Sequence, residues 1–338
     1  MKAMNRRQFV GDTAKAAAGL AAGAWAAGDL RAASASAPET AADPSRILNY
    51  NPQMEYRRLG KTGLMVSAVC LGGHTRCNQK ERTEIISRAI DLGINYIDAC
   101  WDNEVKRDAR ALKGRRDRMY LALSHGAKEV RNENYRTAKK LLQSLDELLR
   151  DSGQEYTDLW RITCLEPGGR HTFNTACEIV EALTTAKKQG KARHIGFSSH
   201  DRRWIKFMIE YFPEIEVVCF PFTTMSKAAP RDSLFPALKK CDVGAFGIKP
   251  FAAGSLFTGN REEDLKRARL ALRYILYTNT VIPIPGINRM EELENAVLAV
   301  RERRQFDLKE QAALEQMNRE VWAALPGDYQ WLRRWEYV

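Results

Sequence analysis

The sequence predicts a (β/α)₈ TIM barrel, and the alternation of its elements carries that prediction. Short apolar runs alternate with stretches of helical periodicity, which is the pattern of a parallel sheet covered by helices. Eight such units close a barrel, and about 250 residues suffice to build one. The chain has 338 residues, enough for a barrel with additional segments. The predicted strands are 66–71, 96–98, 119–123, 157–162, 192–197, 217–220, 243–248 and 281–283.

An open, doubly wound sheet is the alternative arrangement of the same elements. Such a sheet carries a glycine-rich GxGxxG phosphate loop after its first strand. Residues 72–75 are Gly-Gly-His-Thr and do not fit that pattern. We therefore favour the barrel, with helices predicted at 81–92, 105–113, 135–149, 175–188, 201–211, 232–240, 262–277 and 289–303.

The predicted barrel spans residues 54–305, and residues 306–338 form a C-terminal helix, expected at 308–322, and an aromatic tail. The last eight positions include Trp331, Trp335 and Tyr337. Aromatic side chains of this kind either pack on the protein or line a cleft in which they stack on a ligand. We favour packing on the barrel.

The first 37 residues resemble a twin-arginine signal peptide. Arg6 and Arg7 precede an Ala/Gly-rich apolar run at 16–28, and small residues at 33–35 suit cleavage; a chance basic N-terminus is the alternative. The run is too short for a stable membrane span. We expect the twin-arginine export machinery as a partner, a periplasmic or extracytoplasmic location, and a linker at 38–53. This route carries folded proteins and so suits a cofactor bound before export.

Charge and cysteine usage exclude several classes of function. The formal net charge is +11, but the basic residues fall mostly on predicted helices and are not interleaved with aromatics. Nucleic-acid binding is therefore not predicted. The seven cysteines include no CxxC pair, which argues against a disulfide framework in a chain of this length. A small-molecule substrate is the expected partner, and the oligomeric state stays open.

The segment at 93–103, Gly-Ile-Asn-Tyr-Ile-Asp-Ala-Cys-Trp-Asp-Asn, is the most informative part of the chain. It predicts a helix end, a short buried strand and a carboxylate, Asp98, at the strand's carboxyl end, where barrels build their active sites. The segment resembles the part of aldo/keto reductases that carries the catalytic Asp and, five residues later, the catalytic Tyr. The resemblance covers most of 54–303, with matches at 54–67, 111–117, 156–162, 191–199 and 284–286.

The resemblance implies hydride transfer between a nicotinamide cofactor and a carbonyl, with Tyr, Lys, His and Asp around the substrate oxygen. Asp98 matches the Asp, whereas Asn103 stands at the Tyr position, Ser124 at the Lys position and Thr163 at the His position. None of these three side chains donates a proton readily near neutral pH. We therefore expect an atypical proton donor.

The resemblance also implies which residues hold the nicotinamide end of NAD(P). Ser198 and Ser199 stand where the family binds the carboxamide, and Phe222 stands near the aromatic that stacks on the ring. Cys219 replaces a residue that is usually Gln. A chain that binds no nucleotide is the alternative.

The other end of the cofactor is implied by two loops. Lys249 and Ser255 belong to the segment that resembles the pyrophosphate loop, and Gly286 and Arg289 belong to the last loop and the helix after it. Glu292 falls where Arg or Gln is common in the family. Because a carboxylate repels a 2′-phosphate, we expect NAD to be preferred over NADP, with Arg289 near enough to compensate in part.

Loss of the family Lys leaves Asp98 without its usual partner. Partial burial would raise the pKa of a carboxyl in this position unless another cation stands beside it. The candidate cations are Lys249, His125 and Lys128. Asp98 then acts as a general base, or else only caps local backbone groups.

Histidines follow several of the predicted strands on the side where a barrel forms its site. His74 follows the first strand, His125 the third and His200 the fifth, while His171 lies in the loop after the fourth. With Asp98 and Lys249, the first three complete our set of catalytic candidates. A metal site from these histidines and Asp98 is an alternative that we do not predict. No compact metal motif occurs, and strand alternation turns His125 away from Ser124.

The sequence therefore predicts an oxidoreductase that acts on a small polar carbonyl or a sugar with NAD(P). Two other classes stay open. The barrel can be a repurposed lyase, hydrolase or isomerase, dependent on a metal or a retained nicotinamide, or it can be a non-catalytic binding protein. Fold alone does not decide among them.

Overall fold

The computed structural model describes residues 43–164, 172–226, 234–327 and 329–330. The predicted signal peptide, His171 and the tail from Trp331 onward lie outside the described residues. The strands are β1 Tyr56–Arg58, β2 Met65–Ser67, β3 Leu71–Gly72, β4 Tyr96–Ala99, β5 Tyr120–Leu123, β6 Thr157–Thr163, β7 Ala192–Ser198, β8 Val217–Pro221, β9 Gly244–Ile248 and β10 Ile282–Ile284.

Helices follow the barrel strands in turn, as the alternating pattern predicts. None of the helices in the described segments has the length and apolar character of a membrane span. The helices are α1 Gln79–Asp91, α2 Asp102–Ala111, α3 Ala138–Ser152, α4 Phe173–Lys188, α5 Arg202–Tyr211, α6 Leu234–Cys241, α7 Arg261–Thr278, α8 Met290–Arg301 and α9 Leu308–Ala324.

Strands β3 to β10 form one parallel sheet in chain order. The sheet closes where β3 meets β10: Gly72 pairs with Gly286, and the Gly72 amide donates to the Pro285 carbonyl at 2.9 Å. The predicted (β/α)₈ barrel is thereby confirmed. Its eight strands end at one face, which brings the residues after each strand together.

The predicted first strand, residues 66–71, divides into two elements. Met65–Ser67 pairs antiparallel with Tyr56–Arg58 as a hairpin, whereas Leu71–Gly72 is the first barrel strand. The hairpin closes the bottom of the barrel, since Leu59 and Val66 pack into its interior. A continuous apolar run cannot show where a chain leaves one sheet for another, which is why the sequence suggested one strand.

Two apolar layers flank the barrel strands. The interior is filled by inward side chains, with the rings of Tyr96 and Phe246 stacked at 4.3 Å between centroids. The outer layer, between strands and helices, includes Ile97, Leu121 and Trp160. Alternation along each strand thus assigns successive residues to opposite layers.

The segments that flank the predicted barrel contact it on both sides. From Asp43 to Gln53, where a linker was expected, the chain contacts the barrel: the Asn49 side chain donates to the Ile94 carbonyl, and Tyr56 Oη donates to the Asn49 carbonyl. At the other end, α9 packs Leu314 and Val321 against residues of the β9–α7 region. Both segments are therefore part of the packed structure.

Candidate functional site

Polar side chains of neighbouring strands meet at the carboxyl-end face of the barrel. Asp98 lies on β4, Ser124 directly after β5, Arg161 and Thr163 on β6, and Ser198 on β7. The parallel register sets Thr163 beside Ser198 and Arg161 beside Gly196. All five are buried, so the floor of the barrel mouth is polar but shielded from water.

An ion pair between Asp98 and Arg161 dominates this floor. Arg161 Nε donates to Asp98 Oδ2 at 2.9 Å and Arg161 Nη2 donates to Oδ1 at 2.6 Å. Arg161 Nη1 donates to Ser198 Oγ at 2.7 Å. The contact is bidentate, which fixes both side chains in one plane and ties three strands together.

Burial would by itself lower the pKa of Arg161, but the Asp98 carboxylate outweighs it and raises the pKa of the guanidinium well above its usual value. The Arg161 guanidinium therefore stays charged at any pH at which the protein is folded. If either partner is removed, the other charge stays buried without compensation. Such a change lowers the free energy of unfolding by about 3–5 kcal/mol.

Arg161 corrects the sequence-based expectation about the partner of Asp98. None of the three cations proposed there bonds to it: Lys128 pairs with Glu147, and the Lys249 ammonium lies 5.0 Å from the centre of the Tyr329 ring. His125 is directed elsewhere, as described below. The signal for Arg161 was its place on β6, two residues before Thr163, where strand alternation turns both side chains inward.

Above the ion pair lies a layer of hydroxyl and thiol groups. Ser124 Oγ lies 3.1 Å from Thr163 Oγ1 and 3.2 Å from Cys100 Sγ. The buried Glu129 supports this layer, because its carboxylate accepts from the Thr163 amide at 2.7 Å and from the His125 amide at 2.9 Å. Burial raises the pKa of Glu129 despite these bonds.

Asn103, at the position matching the family Tyr, lies away from this layer. Helix α2 begins at Asp102 rather than at the predicted residue 105, so Asn103 falls in its first turn and is exposed. Its Oδ1 accepts from the amide of Glu104 at 3.0 Å. Asn103 therefore bonds within the first turn of α2 instead of reaching over Asp98.

His74 stands on the rim of the mouth in a network that the sequence did not indicate. Its Nδ1 lies 2.8 Å from Glu104 Oε1, and its Nε2 accepts from Trp101 Nε1 at 3.3 Å. Burial raises the pKa of Glu104, but bonds from His74 and from the amides of Cys100 and Trp101 outweigh it and hold the pKa below its usual value. Glu104 is thus an anionic partner of the imidazole.

The other two candidate histidines lie apart from His74. His125 lines a cavity of about 170 Å³ with Asp102, Lys128 and Glu147, so it faces α2 and α3 as strand alternation indicates. His200, after β7, is buried. Burial, with the charges of Lys249 and Arg131, lowers the pKa of His200 well below its usual value.

The residues expected at the nicotinamide end have different orientations. Ser198 Oγ accepts from Arg161, whereas Ser199 Oγ accepts from the Asp201 amide at 3.1 Å in the turn before α5. Phe222 packs in the outer layer, edge-on to Phe235 at 6.0 Å. Ser198 alone among these faces the polar floor.

A cavity of about 250 Å³ opens near the end of β10. Gly286 lines it, whereas Arg289, Lys249 and Ser255 are not among its lining residues. Glu292 enters this cavity with Oε1 bonded to Arg261 Nη1 at 2.9 Å and Oε2 accepting from the Asn288 amide at 2.7 Å. The cavity is lined by Phe251, Phe257, Arg261, Asp264, Leu265, Ala268, Leu272, Gly286, Ile287, Asn288, Glu292, Asn295 and Ala296.

The histidines and Asp98 do not converge on one point. Within the described ranges no three His, Cys, Asp or Glu side chains are grouped so that they can hold a metal ion. His74 engages Glu104, Asp98 engages Arg161, and His125 faces the helices. The arrangement considered as a metal alternative is therefore not formed.

The ion pair predicts a strong energetic coupling. Asp98→Asn and Arg161→Met should each destabilise the protein by about 3–5 kcal/mol, because each leaves one buried charge alone, and the double variant should lose less than the sum. Urea unfolding of the wild type, both single variants and the double variant measures this coupling.

The exposed pair Arg58–Asp242, with a contact of 2.7 Å, provides the matched control. Its variants Arg58→Met and Asp242→Asn should each cost less than about 1 kcal/mol. If the stability lost in the double variant equalled the sum of the losses in Asp98→Asn and Arg161→Met, the assignment of a coupled buried pair would be contradicted.

His200 predicts a loss of stability on acidification. Its folded-state pKa is lowered, so below about pH 6.5 the unfolded chain takes up a proton that the folded protein refuses. Stability then falls by up to about 1.4 kcal/mol per pH unit, and His200→Gln removes this contribution. Urea unfolding at neutral and mildly acidic pH tests this prediction. If the unfolding free energy changed equally with pH in the wild type and the variant, the prediction would be refuted.

Comparisons with known proteins agree with this architecture. The model of the aldo/keto reductase family matches residues 68–268. The aldo-keto reductase AKR11C1 from Bacillus halodurans, in its holo form, superposes with a TM-score of 0.63 at 20% identity, over 82% of this chain and 99% of that one. That likeness shows the same fold.

Two curated relatives are oxidoreductases. The chain is 27% identical over 230 residues to L-glyceraldehyde 3-phosphate reductase of Escherichia coli strain K12, over 61% of this chain and 64% of the relative's length. It is 24% identical over 288 residues to L-galactose dehydrogenase of Arabidopsis thaliana, over 74% of this chain and 89% of that protein. With more than half of its residues matched by the family model, this chain belongs to the aldo/keto reductase family.

Proposed function

We propose that this protein is an oxidoreductase that transfers hydride between a nicotinamide nucleotide and a small polar carbonyl or sugar. The observation that carries the proposal is the buried Asp98–Arg161 pair with Ser198, set at the carboxyl-end face of a family barrel. A charged, water-shielded floor of fixed dipoles is suited to a reaction in which charge develops on a carbonyl oxygen.

The fit of a nucleotide differs between its two ends. At the end of β10, the cavity of about 250 Å³ offers apolar walls with Asn288, Asn295 and Arg261 as polar contacts, which suits an adenosine moiety. At the nicotinamide end, Ser198 is the predicted residue that faces the floor. When bound, the cofactor supplies or accepts hydride at the carbonyl carbon.

The lining of the cavity supports a preference for NAD over NADP. The carboxylates of Asp264 and Glu292 line it, and Arg261 is engaged with Glu292 at 2.9 Å and also pairs with Glu291. A 2′-phosphate placed here meets negative groups whose nearest cation is already paired, so its binding is disfavoured.

The function predicts nucleotide binding and carbonyl reduction by the purified full-length chain. NADH should quench tryptophan fluorescence at lower concentration than NADPH, and addition of glyceraldehyde, a small sugar aldehyde, should consume nicotinamide absorbance. Glu292→Gln should narrow the difference between the two nucleotides by about threefold to tenfold, because it removes one repelling charge.

Glu294 provides the control for that variant, since it lies on the same helix but pairs with Arg88 at 3.4 Å outside the cavity. Glu294→Gln should leave both affinities unchanged. Tighter binding of NADPH by the wild type would contradict the NAD preference, and binding of neither nucleotide would contradict the function.

We further propose that the chain is exported by the twin-arginine route, on the strength of Arg6, Arg7 and the segment after them. Substituting both arginines by lysine should retain the uncleaved precursor in the cytoplasm, because the paired guanidinium groups are the recognised feature of such signals. Cell fractionation with immunodetection measures this. Equal export of wild type and variant would refute the proposal.

A further inference from the structure

The rim residue His74 has the contacts of an oriented acid–base group. Glu104 Oε1 lies 2.8 Å from Nδ1, while the Trp101 indole donates to Nε2 at 3.3 Å and its ring stacks on the imidazole with centroids 6.1 Å apart. Because Nε2 accepts a hydrogen bond here, the neutral imidazole carries its proton on Nδ1. This N–H donates a hydrogen bond to Glu104. The partner at Nδ1 thus fixes the tautomer.

The loop that carries His74 is held firmly. Arg107 of α2 donates to the carbonyls of Gly73, Thr75 and Cys77 and to the Thr75 hydroxyl. At the far side, the Arg76 amide donates to Asn288 Oδ1 at 2.7 Å. The imidazole is therefore positioned by a rigid loop while its side chain keeps 59% of its surface exposed.

His74 lies between the two parts of the proposed site. His74 follows β3, which lies in the barrel between β10, near whose end the cavity opens, and β4, which carries Asp98. Its partner Trp101 follows Cys100, whose thiol belongs to the layer above Asp98 and Arg161. The loop that carries His74 therefore stands between the cavity side and the Asp98 side of the barrel mouth.

We propose that His74 exchanges the proton with the substrate oxygen in the hydride-transfer reaction, with Glu104 as its positioning residue and Trp101 as a group that covers Nε2 in the resting site. This inference rests on the proposed function. It assigns proton transfer to the rim rather than to Ser124, Thr163 or Asn103.

The step is balanced as follows. A bound nicotinamide would supply the hydride that adds to the carbonyl carbon, and the π electron pair of the carbonyl would move to oxygen. The Nε2–H bond of the imidazolium breaks, an O–H bond forms, and the electron pair of the broken bond stays on Nε2. Water reprotonates the imidazole after the alcohol leaves. In the oxidation direction each step runs in reverse.

Protonation of Nε2 and its contact with Trp101 exclude each other, because an imidazolium N–H and an indole N–H are both donors. Trp101 must therefore move when His74 gains its second proton. The ring rests against Gly126, where an added Cβ would lie 3.2 Å from it, so it is not enclosed by side chains there. The titratable or charged groups around this loop include Arg82, Asp98, Cys100, Glu104, Arg107, Asp108 and Glu292.

The first arm of the test needs no turnover. In the full-length chain labelled with ¹⁵N-tryptophan, the Trp101 indole resonance, assigned by Trp101→Phe, should shift with pH in a single transition. His74→Gln should abolish the transition. Glu104→Gln should change the chemical shift of the indole resonance, because the imidazole loses the group that orients it. His194→Gln is the control, since His194 pairs with Glu216 lower on β7.

The second arm uses NADH and glyceraldehyde. His74→Gln should lower turnover by about 10²-fold or more while NADH affinity stays within about twofold of wild type, because proton transfer alone is removed. His194→Gln should leave both unchanged.

The outcomes separate the inference from the function on which it rests. A wild type that oxidises NADH, together with a His74→Gln variant of equal turnover, overturns the proton-transfer role and leaves the proposed function standing. An indole resonance that does not respond to pH also overturns the inference. A wild type that neither binds nor oxidises nicotinamide overturns the proposed function, and the proton-transfer role with it.

Discussion

The buried pair of Asp98 and Arg161 is the constraint on which the barrel mouth depends. Two charges removed from water are stable together only because the contact is bidentate and Ser198 satisfies a further guanidinium proton. The same bonds hold three strands at their carboxyl ends. Neither partner can change alone without leaving a buried charge, so the floor of the site is rigid.

This constraint separates two kinds of chemistry in the site. The floor provides fixed charge and hydroxyl groups but no side chain that exchanges protons readily near neutral pH. The titratable pair His74–Glu104 lies on the rim, supported by the same α2 helix that buries Asp108 against Arg82 of α1. The proposed function combines electrostatic stabilisation by the floor with proton exchange at the rim, and the cavity of about 250 Å³ lies near the end of β10.

Much of the fold was predictable because periodicity depends on residues close together in the chain. The eight barrel strands and the place of Asp98 at the end of β4 follow from apolar runs and their spacing. Arg161 was missed, although alternation from Thr163 indicates that it faces inward. The partnership of His74 with Glu104 and Trp101 was not predictable, because it joins a loop after β3 to the first turn of α2. Helix α2 begins three residues earlier than expected, and this early start places Trp101 and Glu104 where they contact His74.

The most direct test of the account observes the Arg161 guanidinium itself. In ¹⁵N nuclear magnetic resonance of the folded, full-length chain, Arg161→Met assigns its Nε and Nη resonances. The account predicts separate Nη resonances with slow solvent exchange at every pH at which the protein is folded, and their collapse in Asp98→Asn. A guanidinium that rotates freely and exchanges like that of an exposed arginine would contradict the buried pair on which the site depends.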